Sequence, residues 1–183
     1  MTTTTPRTAP SVTRRGLLKV GLFGSAVLAG AGVLGSLSSC NAERPAKGFM
    51  QLRDSDLPML RRLIPVMLEG AIPGPDMARA VQGTLASLDQ GLAHLPPAVG
   101  RQVQQLFDLL SLPITRGPLT GIWSGWEQAQ AAEIHMFLQR WENSSLGLLR
   151  QGCASMQQMI LMAWYGRVES WPHCGYPGPP RIS

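Results

Sequence analysis

Histidine, cysteine and carboxylate side chains could ligate a metal, attack a carbonyl or carry protons, and this chain spreads them thinly. Its three histidines, His94, His135 and His173, lie far apart and fall into no metal-ligand spacing. No Cys-x-x-Cys-His run is present for covalent haem. There is no glycine-rich phosphate loop and no Gly-x-Ser-x-Gly elbow. Glu133 and His135 are two residues apart, so on a helix they point in different directions. Glu127, Glu133 and Glu142 read as a solvated helix surface, the alternative being a shared polar face. His135 reads as a partly buried structural histidine. A catalytic site needs titratable groups that converge, so we expect no catalytic residue, no metal site and no cofactor held by this chain.

The chemistry that does stand out concerns export. Arg14 and Arg15 sit in Ser11-Val12-Thr13-Arg14-Arg15-Gly16-Leu17-Leu18-Lys19, which resembles a twin-arginine signal with Leu17 and Leu18 at its apolar positions. A weakly apolar run, Val20 to Leu37, follows and is diluted by five glycines. It is shorter than the roughly 20 strongly apolar residues of a spanning helix, which suits a cleaved leader. Leu37-Ser38-Ser39-Cys40 resembles a lipobox, in which Cys40 is acylated and becomes the new N-terminus. Cleavage after Ala29-Gly30-Ala31 and retention of the whole segment are the alternatives. The organisation expected is a signal peptide over 1–39, a polar tether over 40–51, a helical domain over 52–166 and an extended tail over 167–183.

Removing the leader leaves about 140 residues, one domain's worth, large enough to need no metal or disulfide staple. The net charge of +5 includes Arg7, Arg14, Arg15 and Lys19 and no leader acid, leaving +1 for the remainder. No concentrated basic face is visible, so no nucleic-acid partner is expected. Lys47 is the only lysine after Cys40; the other basic residues there are arginines, which suit protein contacts. Cys153 and Cys174 are candidates for an intramolecular disulfide in an oxidising compartment, worth up to about 3 kcal/mol. Buried thiols or a bridge to a partner are the alternatives.

Strand signals are sparse and helical periodicity is common. Leu57, Leu60, Ile64 and Leu68 predict a first helix from Asp54 or Ser55, tolerating Pro58 in its first turn but breaking or kinking at Pro65. Val81, Leu85, Leu88 and Leu92 predict a second helix from Asp76, which can cap it, to Leu95. Pro97 opens a third, with Val103, Leu106, Phe107 and Leu110 inward. Ser111 to Trp123, with two prolines and two glycines, reads as a loop. Ser124-Gly125-Trp126-Glu127 has capping-box spacing for a helix to Trp141. A last helix covers Leu146 to Tyr165, ended by Gly166 in the left-handed conformation. The fold expected is all-α, a compact bundle of about five helices with an extended C-terminal tail. Met156, Met159 and Met162 read as core filling, with an interface as the alternative.

Trp164, Tyr165, Trp171 and Tyr176 place four large aromatics close together, and Pro172, Pro177, Pro179 and Pro180 hold the segment extended. Aromatics are the usual anchors of interfaces. Trp164, Tyr165, Trp171, Tyr176 and Pro177 are therefore the candidate docking residues; the alternative is a tail that folds back and seals its own bundle.

Ala163-Trp164-Tyr165-Gly166, Trp171 and Gly175-Tyr176-Pro177-Gly178-Pro179-Pro180 together resemble the small subunit (subunit 3, or gamma) of membrane-bound gluconate 2-dehydrogenase and related FAD-dependent sugar and alcohol dehydrogenases. Leu60-Arg61-Arg62-Leu63-Ile64-Pro65 is similar to that family's opening helix. The resemblance spans most of Leu52 to Pro180, and Gly-Tyr-Pro-Gly-Pro-Pro is its most specific part. It implies an accessory subunit without a cofactor or activity of its own. FAD would sit in a large dehydrogenase subunit, and a cytochrome c subunit would take the electrons. The large subunit would leave the cell folded, carried by this chain to the periplasm through the twin-arginine translocase. A lipobox is not general in that family, so the membrane anchor at Cys40 is read from the residues alone. The rival expectation is a free-standing helical periplasmic lipoprotein that binds another envelope protein.

Overall fold

The computed structural model describes residues 44–72 and 74–179. Among them are six α-helices and no strand: α1 (Leu57–Met67), α2 (Met77–Ala93), α3 (Pro97–Ser111), α4 (Pro113–Thr120), α5 (Ala131–Glu142) and α6 (Gly147–Tyr165). Short 3-10 turns lie at Gly74–Asp76, Trp126–Gln128 and Val168–Cys174. The fold is an all-α bundle.

Helix α1 is the centre. It packs on α2, α5, α6 and the Trp126–Gln128 turn. Met59, Leu60, Leu63 and Ile64 are wholly buried, and Leu57 and Leu68 nearly so. Each such side chain contributes roughly 1.5–3 kcal/mol on removal from water. Pro65 does not break the helix. It falls in the last turn, where only the bond to the Arg61 carbonyl is forfeited, and Leu68 N still donates to Ile64 O at 3.0 Å.

The residues expected as a tether are folded from Arg44 onward. Ala46 N donates to Leu52 O at 2.8 Å, and Pro45 and Arg53 form an antiparallel bridge. The buried Asp89 carboxylate, on α2, accepts the backbone N–H groups of Met50, Gln51 and Leu52 at 2.7, 2.8 and 2.8 Å. Arg53 donates to Asp56 through Nε and Nη2 at 3.0 and 2.9 Å and pairs with Asp108 of α3 at 2.7 Å. Burial opposes the Arg53 charge, but the bonds and charges of Asp56 and then Asp108 outweigh it and push its pKa up.

The expected loop at Ser111 to Trp123 instead contains α4. Pro113 stands in its first turn, where a missing N–H is harmless. The carbonyl of Leu119, at the open end, accepts Trp141 Nε1 at 2.8 Å and Arg140 Nη2 at 3.1 Å. Gly121 leaves the helix at φ 78°, a left-handed turn that suits glycine. Gly117 must be bare, because a Cβ there would lie 2.5 Å from the Trp123 ring.

The capping box also moves. Ser124 to Glu127 leads into a 3-10 turn, and the box forms at Gln130 and Glu133, with Gln130 N donating to Glu133 Oε2 at 2.8 Å. Trp126 Nε1 donates to Leu110 O at 2.8 Å, which anchors the turn to α3 and delays the helix. Trp126, Phe137 and Trp141 then pack edge to face, with centroids 6.3 and 5.0 Å apart. Asp76 precedes α2 without a side-chain cap bond, its carboxylate lying 3.7 Å from Arg79 instead. Gly166 follows α6 at φ −71°, in the right-handed region, because the chain turns directly into the next 3-10 segment.

Candidate docking surface

Helix α6 buries one face, Cys153, Met156, Ile160, Ala163 and Trp164, against α1, α2 and α5. A helix with one buried face ordinarily carries charge on the other. Here Arg150 is the only charged residue between Gly147 and Tyr165, and its Nη1 donates to Ser144 O at 2.5 Å. The outward stripe is Leu148, Gln151, Ala154, Gln158, Leu161, Met162 and Tyr165, all exposed. Leu148 is 83% exposed and Met162 67%. The methionines recur every third residue, a 300° step on a helix. Each therefore rotates away from the core, from buried Met156 through half-buried Met159 to exposed Met162.

Beyond α6 the tail folds back before it runs free of regular structure. Val168–Cys174 forms a 3-10 turn, where an extended chain was expected. Arg167 Nη1 donates to the Gly83 carbonyl of α2 at 2.9 Å, and Nη2 donates to Glu169 at 2.6 Å. Ser170 is wholly buried, its hydroxyl donating to Arg167 O at 2.7 Å. Trp171 and Tyr176 meet edge to face at 5.3 Å, and Tyr176 N donates to Trp171 O at 3.0 Å. Tyr176 to Pro179 has no helix or strand.

This places the candidate docking residues differently from one another. Trp164 is a core residue, 2% exposed, and offers no docking surface. Its phase explains this: Cys153, Met156, Ile160 and Ala163/Trp164 step along one face at three and four residues. Tyr165 and Tyr176 are exposed, Pro177 is exposed, and Trp171 is half-buried. Val168, 64% exposed, joins them, and sequence reasoning missed it along with Leu148, Leu161 and the uncharged stripe. The signal was available as the stretch between Glu142 and Glu169, which holds no acid.

Cys153 and Cys174 are both free thiols, not a disulfide. Cys153 points into the core, and α6 carries the chain about 18 Å onward to Tyr165 before the turn that ends at exposed Cys174. Burial, with the Glu142 charge second, pushes the Cys153 thiol up from its ordinary pKa. Arg14, Arg15 and Cys40, the expected translocase and lipid sites, lie outside the described residues.

The titratable residues stay dispersed. His135, expected to be partly buried, is exposed and faces Glu69 of the α1–α2 connection, Nε2 to Oε2 2.8 Å. His94 Nδ1 lies 2.7 Å from Gln90 O. Glu133 serves the capping box, while Glu127 and Glu142 are exposed. Among the described residues no group of three His, Cys, Asp or Glu could hold a metal ion. A pocket lined by Gln51, Leu52, Asp56 and Phe107 holds about 20 Å³, room for one water. No described helix is long and apolar enough to cross a membrane.

No family model, curated protein or solved structure matches this chain.

Proposed function

We propose that this chain is a non-catalytic small subunit that escorts a folded FAD-dependent dehydrogenase subunit through the twin-arginine pathway and stabilises it in the periplasm. The observation that carries this is the outer face of α6. It is long, exposed and uncharged, and it runs into Tyr165 and Val168. Solvated helix faces carry charge, whereas interface cores are depleted of it and enriched in Met and Tyr. The leader supports the same reading, since Arg14 and Arg15 address a route for folded cargo. The family resemblance at the C-terminal end names the cargo as a flavoprotein and a cytochrome c subunit as its electron acceptor.

The test is co-expression of this chain with a candidate large flavin-binding dehydrogenase subunit that has no signal of its own. Arg14→Lys with Arg15→Lys should abolish periplasmic dehydrogenase activity, and unchanged activity would reject the escort role. Met162→Glu should leave this chain exported but strip flavin absorbance from the material purified with it.

A second reading is a free-standing helical lipoprotein that binds another envelope protein. The Arg167 to Gly83 contact and buried Ser170 favour it, because they tie part of the tail to its own bundle. Purification from the envelope as a monomer with no flavoprotein attached would select this alternative.

A further inference from the structure

We infer that the loop Pro45–Met50 is the membrane-facing side of the mature protein and lies against lipid headgroups. The inference rests on acylation at Cys40, as expected from the lipobox and compatible with either reading above, and adds where the domain then sits. An acylated cysteine has its chains in the bilayer and its backbone at the headgroup level. From Cys40 to Pro45 the chain can span at most about 18 Å, even fully extended. Pro45 is already bridged to Arg53, and Ala46 is buried. The clamp at Asp89 holds Met50, Gln51 and Leu52 through three charge-assisted bonds, so the fold cannot lengthen the connection by peeling this segment away. A segment free as far as Asp56 would add roughly 40 Å of reach. The compact unit begins at Arg44, four residues past the cysteine.

What this loop exposes suits a lipid surface. Arg44 and Lys47 are exposed, as is Met50 at 54%, and Phe49 is half-buried beside them. Cations are drawn to anionic lipid headgroups. With Glu43 beside Arg44, the stretch from Cys40 to Met50 carries a net charge of +1, and the next acid, Asp54, follows the bridge rather than the loop. Gly48 turns the loop at φ 88°, a left-handed value that keeps Lys47 and Met50 on a tight tip.

The experiment uses the full chain, exported and purified from the envelope, then reconstituted in phosphatidylethanolamine–phosphatidylglycerol vesicles. A fluorophore is placed at Met50→Cys in a Cys174→Ser background, with Lys47→Cys as a second position should the first fail to fold. Quenching by nitroxide-labelled lipid is compared with the same protein carrying a long Gly-Ser insert between Asn41 and Ala42. Quenching at least threefold stronger without the insert is expected. Acylated protein quenched equally in both forms overturns the inference. Intact mass without acyl chains on Cys40 also overturns it, and leaves the escort proposal standing, since that is read from flavoprotein co-purification.

Discussion

The guanidinium of Arg167 occupies the space that a side chain at Gly83 would fill. A Cβ at Gly83 would come 2.4 Å from Arg167 Nη2, while Arg167 Nη1 donates to the Gly83 carbonyl at 2.9 Å. Bare backbone on α2 and a long cation after α6 thus fasten the tail to the bundle.

Gly83→Ala sets two effects against each other. Alanine gains about 0.8–1.0 kcal/mol of helix propensity. Displacing Arg167 forfeits a charge-assisted bond of about 1.5–3 kcal/mol, reduced by its partial exposure. We expect global stability in urea to fall by about 1 kcal/mol at most. Amide exchange at Ser170, whose N–H donates to Arg167 O at 3.1 Å, should quicken roughly tenfold, because the loss is local. Unchanged exchange there would remove the latch.

Asp89→Ala orphans three backbone donors at once. A buried unsatisfied donor costs about 1–3 kcal/mol, and Leu52 lies at one of them, 1% exposed. We expect a loss of about 3 kcal/mol or more in chemical denaturation, with new protease cutting between Arg44 and Arg53. Asp89→Asn should retain part of the stability, since one carbonyl oxygen still accepts.

Cys153 gives a pH signature. Its thiol pKa is raised in the fold, by burial first and Glu142 second. The folded state therefore keeps its proton when the unfolded state has lost it, and stability is fully present below the unfolded thiol pKa. It declines as pH climbs from about 8.5 through the folded value. Denaturation midpoints of wild type and Cys153→Ala, compared between pH 7 and pH 10, should converge at the alkaline end.

The two thiols should also differ in reactivity. Maleimide should modify exposed Cys174 in the native protein, and Cys153 only after unfolding. Labelling of neither in denaturant without reductant would restore the disulfide.

Substitutions on the outer face of α6 should separate folding from assembly. Leu148→Glu and Met162→Glu remove exposed apolar groups and touch no core residue, so stability should hold within about 0.5 kcal/mol. On the escort reading, a proposed flavoprotein partner should no longer co-purify while the melting curve stays unchanged.

Much of the bundle was legible in local pattern. The stripe Leu57, Leu60, Ile64 and Leu68 announces α1 because one period serves one buried face. The misreadings share a cause, which is distance along the chain. Helix α4 looked like a loop because its prolines and glycines are breakers, and the groups that close its end, Arg140 and Trp141, come from α5. Ser124 has the usual capping-box spacing, yet the box forms at Gln130, not a usual cap residue, because the tie from Trp126 to Leu110 delays the helix. Arg62 Nη2 donating to Ala129 O fixes the same turn against α1. Asp89 carries no local sign of its role, since its three donors lie 37 to 39 residues away. Exposure was half legible: Tyr165 and Tyr176 are exposed as the aromatic tail suggested, while the helical phase of α6 sends Trp164 inward.

Because α1 sits at the centre and α6 supplies part of its wall, the shelter of an early helix is completed only by the last helix among the described residues. A ribosome that stops before Gly147 releases a chain whose Leu60 and Ile64 lack part of their cover. A gate that accepts only closed bodies, as the export route proposed above would be, should therefore turn away copies cut short before Gly147.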